Sequence, residues 1–168
     1  MRISRESRTG RLPVVSLPPF QELLECHARD VHRFLVASVG GSDADDCYQE
    51  TWLAALRAYP RVQDAGNLRG WLFTIAHRKA IDHVRRRRRA PVPAGEQLPE
   101  VPVEMDHRED SGIWGCVRRL PPKQRTAVAL RYVLDADYAL ISSAMGTSEE
   151  AARRNVHEGL KRLRTEYM

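Results

Sequence analysis

The chain has 168 residues, a net charge of +5 and a pI near 9.4, a basic balance that suits nucleic acid or another anionic surface as partner. Hydrophobic residues make up 42% and charged residues 29%, enough apolar material for a core, which excludes a wholly disordered chain. Nowhere do 18 apolar residues run together, so the sequence predicts no membrane insertion.

Cys26, Cys47 and Cys116 are odd in number and far apart, which argues against a disulfide framework or a zinc ribbon and predicts small buried thiols in a reducing compartment. The first 20 residues contain arginines but no apolar stretch, so no signal peptide is expected and the predicted location is cytoplasmic. There is no Gly-rich phosphate loop, no H-E-x-x-H and no paired nucleophile and base. Hence no catalytic residue, metal site or cofactor is predicted.

Four blocks follow one another. Residues 1–18 are Arg-rich, interrupted by Pro13 and Pro18, and lack periodicity, which predicts a mobile basic tail. Residues 19–90 carry helical patterns with short breaks at "GGSDAD" and "DAGN". Residues 91–110 hold four prolines and six acids against one arginine, net −5, and read as a semi-extended linker. Residues 111–168 return to helical patterning. The fold class expected is all-α: two small helical domains on an acidic, Pro-rich tether, compatible with domains packed or apart.

In the first domain "SDADDCYQETWLAALRAY" is the clearest helix, with Ser42 or Asp43 as cap. Tyr48, Trp52, Ala55, Leu56 and Tyr59 form its apolar stripe. Asp45, Asp46, Gln49 and Glu50 fall on another face, without a basic residue at i+4. That face is either a solvated helix start or a docking surface. A second helix begins near Leu68, with Leu72, Ile75, Ala76, Ala80 and Val84 inward and Arg78, Lys79, Arg85, Arg86 and Arg89 on the other side. From Asn67 to Arg89 eight Lys/Arg stand against Asp82 alone. Five consecutive arginines repel one another, so the run suits a polyanion whose counterions it displaces.

In the last block Pro121-Pro122 open a helix with Ala127, Val128, Leu130, Tyr132 and Val133 inward. A short helix from Asp137 to Met145 directs Tyr138, Ile141, Ala144 and Met145 to the core, and Gly146 supplies a left-handed turn. Thr147 to Glu150 matches a capping box opening a longer helix. Its stripe is Ala152, Val156, Leu160 and Leu163, with Arg153, Arg154, His157, Lys161 and Arg164 facing away. A short helix, a Gly turn and a longer basic helix form a helix-turn-helix pattern. In a major groove Arg153 and Arg154 would meet guanine edges or phosphates, and Glu149 or Glu150 cytosine N4. The bland alternative is a three-helix bundle with a basic solvent face.

"SDADDCYQETWLAAL", "LRGWLFTIAHRKAIDHVRRRRR" and "LPPKQRTAVALRYV…DYALISSAMGTSEEAARRNVHEGLKRLR" together resemble, in order and spacing, regions 2.2, 2.3–2.4 and 4 of the extracytoplasmic-function sigma factors of the sigma-70 family. The resemblance implies a non-catalytic transcription initiation factor that docks on core RNA polymerase and directs it to promoters. It assigns Asp45, Asp46, Gln49 and Glu50 to the β′ coiled coil. It assigns Asn67, Arg69, Trp71, His77, Arg78, Lys79, Arg85 and Arg86 to the −10 element and its opening. Ser148, Arg153, Arg154, Asn155 and His157 fall to the −35 element, with the polymerase β flap holding that domain. It also implies an anti-sigma partner. Trp71, a tryptophan at a helix start, reads more readily as core than as a stacking platform.

Departures from the family pattern bear on promoter sequence: Arg78 stands where an asparagine is usual, Asn155 where an arginine is usual, Ala139 and Leu140 where glutamates are usual. Two other functions fit parts of the pattern. A stand-alone helix-turn-helix regulator would leave the 45–50 acidic face without a purpose, and a sigma-like titrator of polymerase or of an inhibitor would never open DNA.

Overall fold

The computed structural model describes residues 16–89 and 112–167, and among them every regular element is helical. The expected acidic linker of residues 91–110, and the basic tail up to residue 15, lie outside the described residues. Seven α-helices occur in the order α1 Phe20–Val39, α2 Gly41–Ala58, α3 Leu68–Arg89, α4 Ile113–Arg119, α5 Pro122–Val133, α6 Tyr138–Met145 and α7 Glu149–Tyr167. Short 3-10 turns at Tyr59–Arg61 and Ala65–Asn67 bridge α2 to α3.

Helix α1 starts behind Pro19, whose extended backbone cannot continue a helix backwards. It ends at Gly40, at φ +94°, and this same residue is the N-cap of α2. A side chain there would be strained, so one glycine makes the reversal that lays α2 along α1. No side chain caps α2, which corrects the expectation for Ser42 or Asp43. Its buried stripe is also rotated from the expected one. Ala44, Cys47, Thr51, Trp52, Ala55 and Tyr59 point inward while Leu56 is half exposed, because α1 and α3 together cover a broader arc than one sequence stripe describes. The Tyr59 hydroxyl donates to the Pro18 carbonyl at 2.6 Å, tying the start of α1 to the end of α2.

Helix α3 buries Leu72, Ala76 and Ala80 of its expected stripe, together with Gly70, Phe73 and His77, while Ile75 and Val84 are only half-buried. Phe73 meets Phe34 of α1 edge to face, with ring centroids 5.8 Å apart. Its last turn holds Arg86 to Arg89, where the negative end of the helix dipole offsets part of their mutual repulsion.

The second half contains α4 in addition to the three expected helices. Pro121 and Pro122 open α5 as the sequence predicts. Tyr132 proves 57% exposed, while Arg125, Thr126 and Ala129 are buried; α5 is covered by α1, α6 and α7 at once, so it hides residues that no single stripe contains. Asp137 caps α6 by accepting from Leu140 N–H at 2.7 Å, and Gly146 closes it in the left-handed conformation, φ +61°. The Thr147 N–H returns to the Ser142 carbonyl at 3.0 Å, completing a Schellman turn. The α7 cap is Ser148, whose hydroxyl accepts from Ala151 N–H, and this replaces the box expected from Thr147 to Glu150. Ala152, Val156 and Leu163 are buried along α7 as expected.

The halves are packed together. One apolar cluster contains Val31, Phe34 and Leu35 of α1, Leu72 and Phe73 of α3, Leu130 of α5, Ile141 of α6 and Val156 of α7. Helix α6 lies against α3, and α4 and α5 against α1. At this boundary His77 is 8% exposed and its Nδ1 is 2.9 Å from the Thr126 hydroxyl. Burial, then the neighbouring Arg78, depresses the imidazole pKa to about 4. The folded state therefore holds His77 neutral, while the unfolded chain protonates it near pH 6.5. The resulting stability is complete above pH 6.5 and is lost as pH falls toward 4, in total on the order of 3 kcal/mol. Thermal melts at pH 7.5, 6.5, 5.5 and 5.0 are expected to fall progressively, and His77→Gln, which keeps a neutral hydrogen-bonding group, is expected to flatten the curve.

Candidate nucleic-acid interface

Two basic helical surfaces and one mixed surface form the candidate site. The mixed surface joins α2 to the C-terminal half of α3. Arg86 donates to both carboxylate oxygens of Glu50, at 3.0 and 3.2 Å, and Lys79 Nζ lies 3.7 Å from the same carboxylate. Arg87 pairs with Asp43, whose carboxylate is also 3.2 Å from His83 Nε2. Glu50, which has no i+4 base, and Asp43 thus find their cations across the helix pair rather than along one helix. The Glu50 hydrogen bond raises the Arg86 pKa further. Cys47 lies beneath these acids, and burial, with Glu50 and Asp43 adding to it, pushes its thiol up to about 11. It stays protonated and inert at neutral pH.

Of the four acidic-face residues, Asp45 lies 3.1 Å from His32 Nε2. Asp46 and Gln49 are exposed and make no ion pair or side-chain hydrogen bond among the described residues. Leu53 stands half exposed in the same cleft as Asp46, Gln49 and Glu50. Leu53 lies outside the apolar stripe read from the sequence, and nothing in that pattern marked it as part of a surface.

The turn before α3 presents Asn67, set by Asp64, whose carboxylate accepts the Gly66 N–H at 2.8 Å. Arg69 reaches Asp30 at 3.5 Å and lies 6.0 Å from the centre of the Phe73 ring. Trp71 is half buried, packs on the core and sits 6.0 Å from Tyr59. Arg78, Arg85, Arg88 and Arg89 are exposed. His77 faces α5, away from the outer surface. The structure thus brings Asn67, Arg69 and Trp71 together at one end of α3 and sets Arg78, Lys79, Arg85 and Arg86 along its length.

On α7, Arg153 and Arg154 are exposed and ion-paired at i+4 to Glu149 and Glu150, at 3.2 and 3.4 Å. Arg153 also stacks over the Tyr138 ring at 4.9 Å, with Arg131 5.3 Å from the same ring. Asn155 turns back to the Ala151 carbonyl, and the Ser148 hydroxyl serves as cap. His157 is exposed. Among the described residues no cluster of three or more potential ligands could hold a metal ion, and no helix is long and apolar enough to cross a membrane.

A basic helix ending one half and a helix-turn-helix in the other define a two-part, all-helical DNA-binding protein. Family models for sigma-70 region 2 and sigma-70 region 4 match residues 23–90 and 112–163. The chain is 30% identical to the RNA polymerase sigma factor CarQ of Myxococcus xanthus, over 86% of this chain and 87% of that one. It is 33% identical to the ECF sigma factor SigD of Mycobacterium tuberculosis, over 87% and 76%. With BldN of Streptomyces coelicolor the identity is 30% over 86% of this chain, and the match spans 58% of BldN. The fold is similar to that of Bartonella quintana RpoE, solved in complex with the anti-sigma factor NepR, with TM-score 0.66 and 19% identity over 87% of this chain and 94% of that one. The chain belongs to the extracytoplasmic-function RNA polymerase sigma factors of the sigma-70 family, which direct polymerase to promoters in transcription initiation.

The Glu50–Arg86 pair yields a prediction. Glu50→Gln removes the bidentate anion from Arg86 and frees one cation for phosphate. Nonspecific duplex affinity is expected to rise at low salt, and the slope of log K against log salt to steepen by about one. Fluorescence anisotropy across a salt series reads this.

Proposed function

We propose that the chain docks on core RNA polymerase through the exposed face of α2, reads and helps open the −10 element with α3 and the turn before it, and reads the −35 element with α7. The observation that carries this reading is the exposed, unpaired Asp46 and Gln49 beside a helix with a continuous cationic side. A DNA-binding surface has no use for an adjoining acidic face, whereas a protein bridging DNA to a basic partner does.

Asp46 and Gln49 lead the docking set, with Asp45 beside them. Glu50 contributes once a basic group of the β′ coiled coil competes for it with Arg86 and Lys79. At the −10 element Asn67 supplies a donor and an acceptor for an unstacked base, and Trp71 flanks it with a partly open indole face. Arg69, Arg78, Lys79, Arg85 and Arg86 neutralise phosphate, which positions the strand without reading it. Capturing a base from the stack costs a few kcal/mol, met by stacking and hydrogen bonds on the extruded base. At the −35 element Arg153 and Arg154 are the base-edge readers, and the Ser148 cap and His157 flank them. Asn155, folded onto its own helix, has to turn outward to take part.

The protein itself performs no bond chemistry in this scheme. Nucleotide addition belongs to the polymerase, so the location is cytoplasmic. The anti-sigma partner of the structurally similar RpoE supports a comparable inhibitor here, and the β flap is the expected holder of the second half.

Run-off transcription with purified chain, core polymerase and a library of genomic fragments tests the reading. Fragment-selective transcripts are expected only when the chain is present. Asp46→Ala with Gln49→Ala is expected to lower core affinity by about tenfold or more, the loss of one to two good polar contacts at 1.4 kcal/mol per decade. Arg153→Ala with Arg154→Ala is expected to leave core affinity unchanged and to cost promoter selection about 1–3 kcal/mol per arginine. Indifference to both pairs overturns the assignment.

A further inference from the structure

The acids proposed for docking and some of the cations proposed for DNA meet in one place. Asp46, Gln49 and Glu50 of α2 and His83, Arg86 and Arg87 of α3 line a single open cleft of about 370 Å³. Two carboxylates hold its cations, and they hold them unequally. Glu50 accepts both Arg86 hydrogen bonds and stands 3.7 Å from Lys79 Nζ. Its side chain is 36% exposed and that of Arg86 59%. Asp43, which pairs with Arg87 and His83, is only 20% exposed and is not one of the docking acids.

Glu50 is thus claimed from two sides. As a docking residue it has to meet a basic group of the polymerase, while Arg86 and Lys79, as −10 residues, have to meet phosphate. In the free chain each of these groups is occupied by the other. A carboxylate that accepts two hydrogen bonds from one guanidinium matches its fork as a phosphate would, so Glu50 stands in for the DNA backbone. The pair is built to be exchanged. Solvated ion pairs contribute little and re-form readily with another partner, whereas breaking a buried pair strands a charge. The more deeply set Asp43 is less open to such an exchange, so Arg87 stays where it is. Arg78, Arg85, Arg88 and Arg89 are exposed without an ion pair among the described residues. Glu50 therefore withdraws two particular cations and leaves the rest of the basic side as it is.

Resting on the sigma reading given above, we propose that Glu50 is shared between the two binding sites: in the free chain it holds Arg86 and Lys79 off the DNA backbone, and docking on core polymerase moves it to a basic group there and returns both cations to phosphate. The two binding events are then coupled through one carboxylate, with no change in how the helices pack. Such coupling is reciprocal. Core bound at α2 strengthens phosphate contact at α3, and loss of the α3 cations frees Glu50 for core.

Titration of the full-length chain, labelled at the exposed Cys26, with purified core polymerase tests this by fluorescence anisotropy. Arg86→Gln, a change on the DNA side, is expected to tighten core binding by about two- to fivefold, the reach of one solvated pair. Lys79→Gln, whose contact with Glu50 is longer, is expected to act in the same direction by less. Arg89→Gln removes the same charge from the last turn of α3 at an unpaired side chain, and is expected to give no such gain. In a Glu50→Gln chain core binding is expected to be weaker than in wild type, and adding Arg86→Gln is expected to leave it there. Far-UV circular dichroism at the wild-type level is the check that each variant keeps its helices. Arg86→Gln and Lys79→Gln binding core no more tightly than Arg89→Gln overturn the sharing and leave the docking reading standing. A gain from Arg86→Gln that persists without Glu50 overturns it too, because net charge then explains the gain. Weaker binding by Arg86→Gln puts Arg86 itself on the polymerase, with the same consequence. A wild-type chain that does not bind core removes the docking reading and the proposal with it.

Discussion

Eight cationic side chains against a single acid on α3 is a charge density that a lone helix holds only at the cost of steady mutual repulsion. The neighbouring helix relieves it. Glu50 takes Arg86 and Lys79, and Asp43 takes Arg87, so the acidic side of α2 is turned toward the cationic side of α3 and the rotation of both helices is fixed. The exposed side chains left without an ion pair then include Asp46 and Gln49 beside Leu53 on α2, and Arg78, Arg85, Arg88 and Arg89 on α3. These pairs are partly solvated, so each contributes little to stability by itself. Their effect lies in choosing which charges remain available to a partner.

The same helix supplies the third face. Its inner side joins the core of the first half, and Gly70, Thr74 and His77 meet the second half. A helix packed on three sides has little freedom to adjust to DNA while the halves are together.

Much of this was legible in the sequence, for identifiable reasons. Helix α7 announces itself because Arg153, Arg154, His157 and Lys161 are left exposed opposite a narrow buried stripe, so a four-residue period survives. Gly146 is a local signal, a left-handed turn, that tertiary contacts do not override. Leu56 and Tyr132 were misplaced because their helices are covered from more than one direction, and a one-stripe reading then selects the wrong edge of the buried arc. The Thr147 cap failed by one residue because two adjacent hydroxyls competed and only Ser148 is positioned to reach the Ala151 N–H. The cross-helix ion pairs and the Thr126 partner of His77 lay beyond any local pattern. They join residues 29 to 49 positions apart, and only the packing of whole helices brings such residues together.

Tyr138 has a consequence for how α7 meets a base. Its ring carries Arg131 on one contact and Arg153 on another, while Glu149 holds the Arg153 guanidinium from the helix side. A free arginine gives up about 0.5–1.5 kcal/mol of conformational entropy when a partner immobilises it. Arg153 has already surrendered part of that freedom within the folded protein. Its encounter with a groove is correspondingly less costly, and less forgiving of a displaced base, so the first helix of the helix-turn-helix sets the stiffness with which the second one reads.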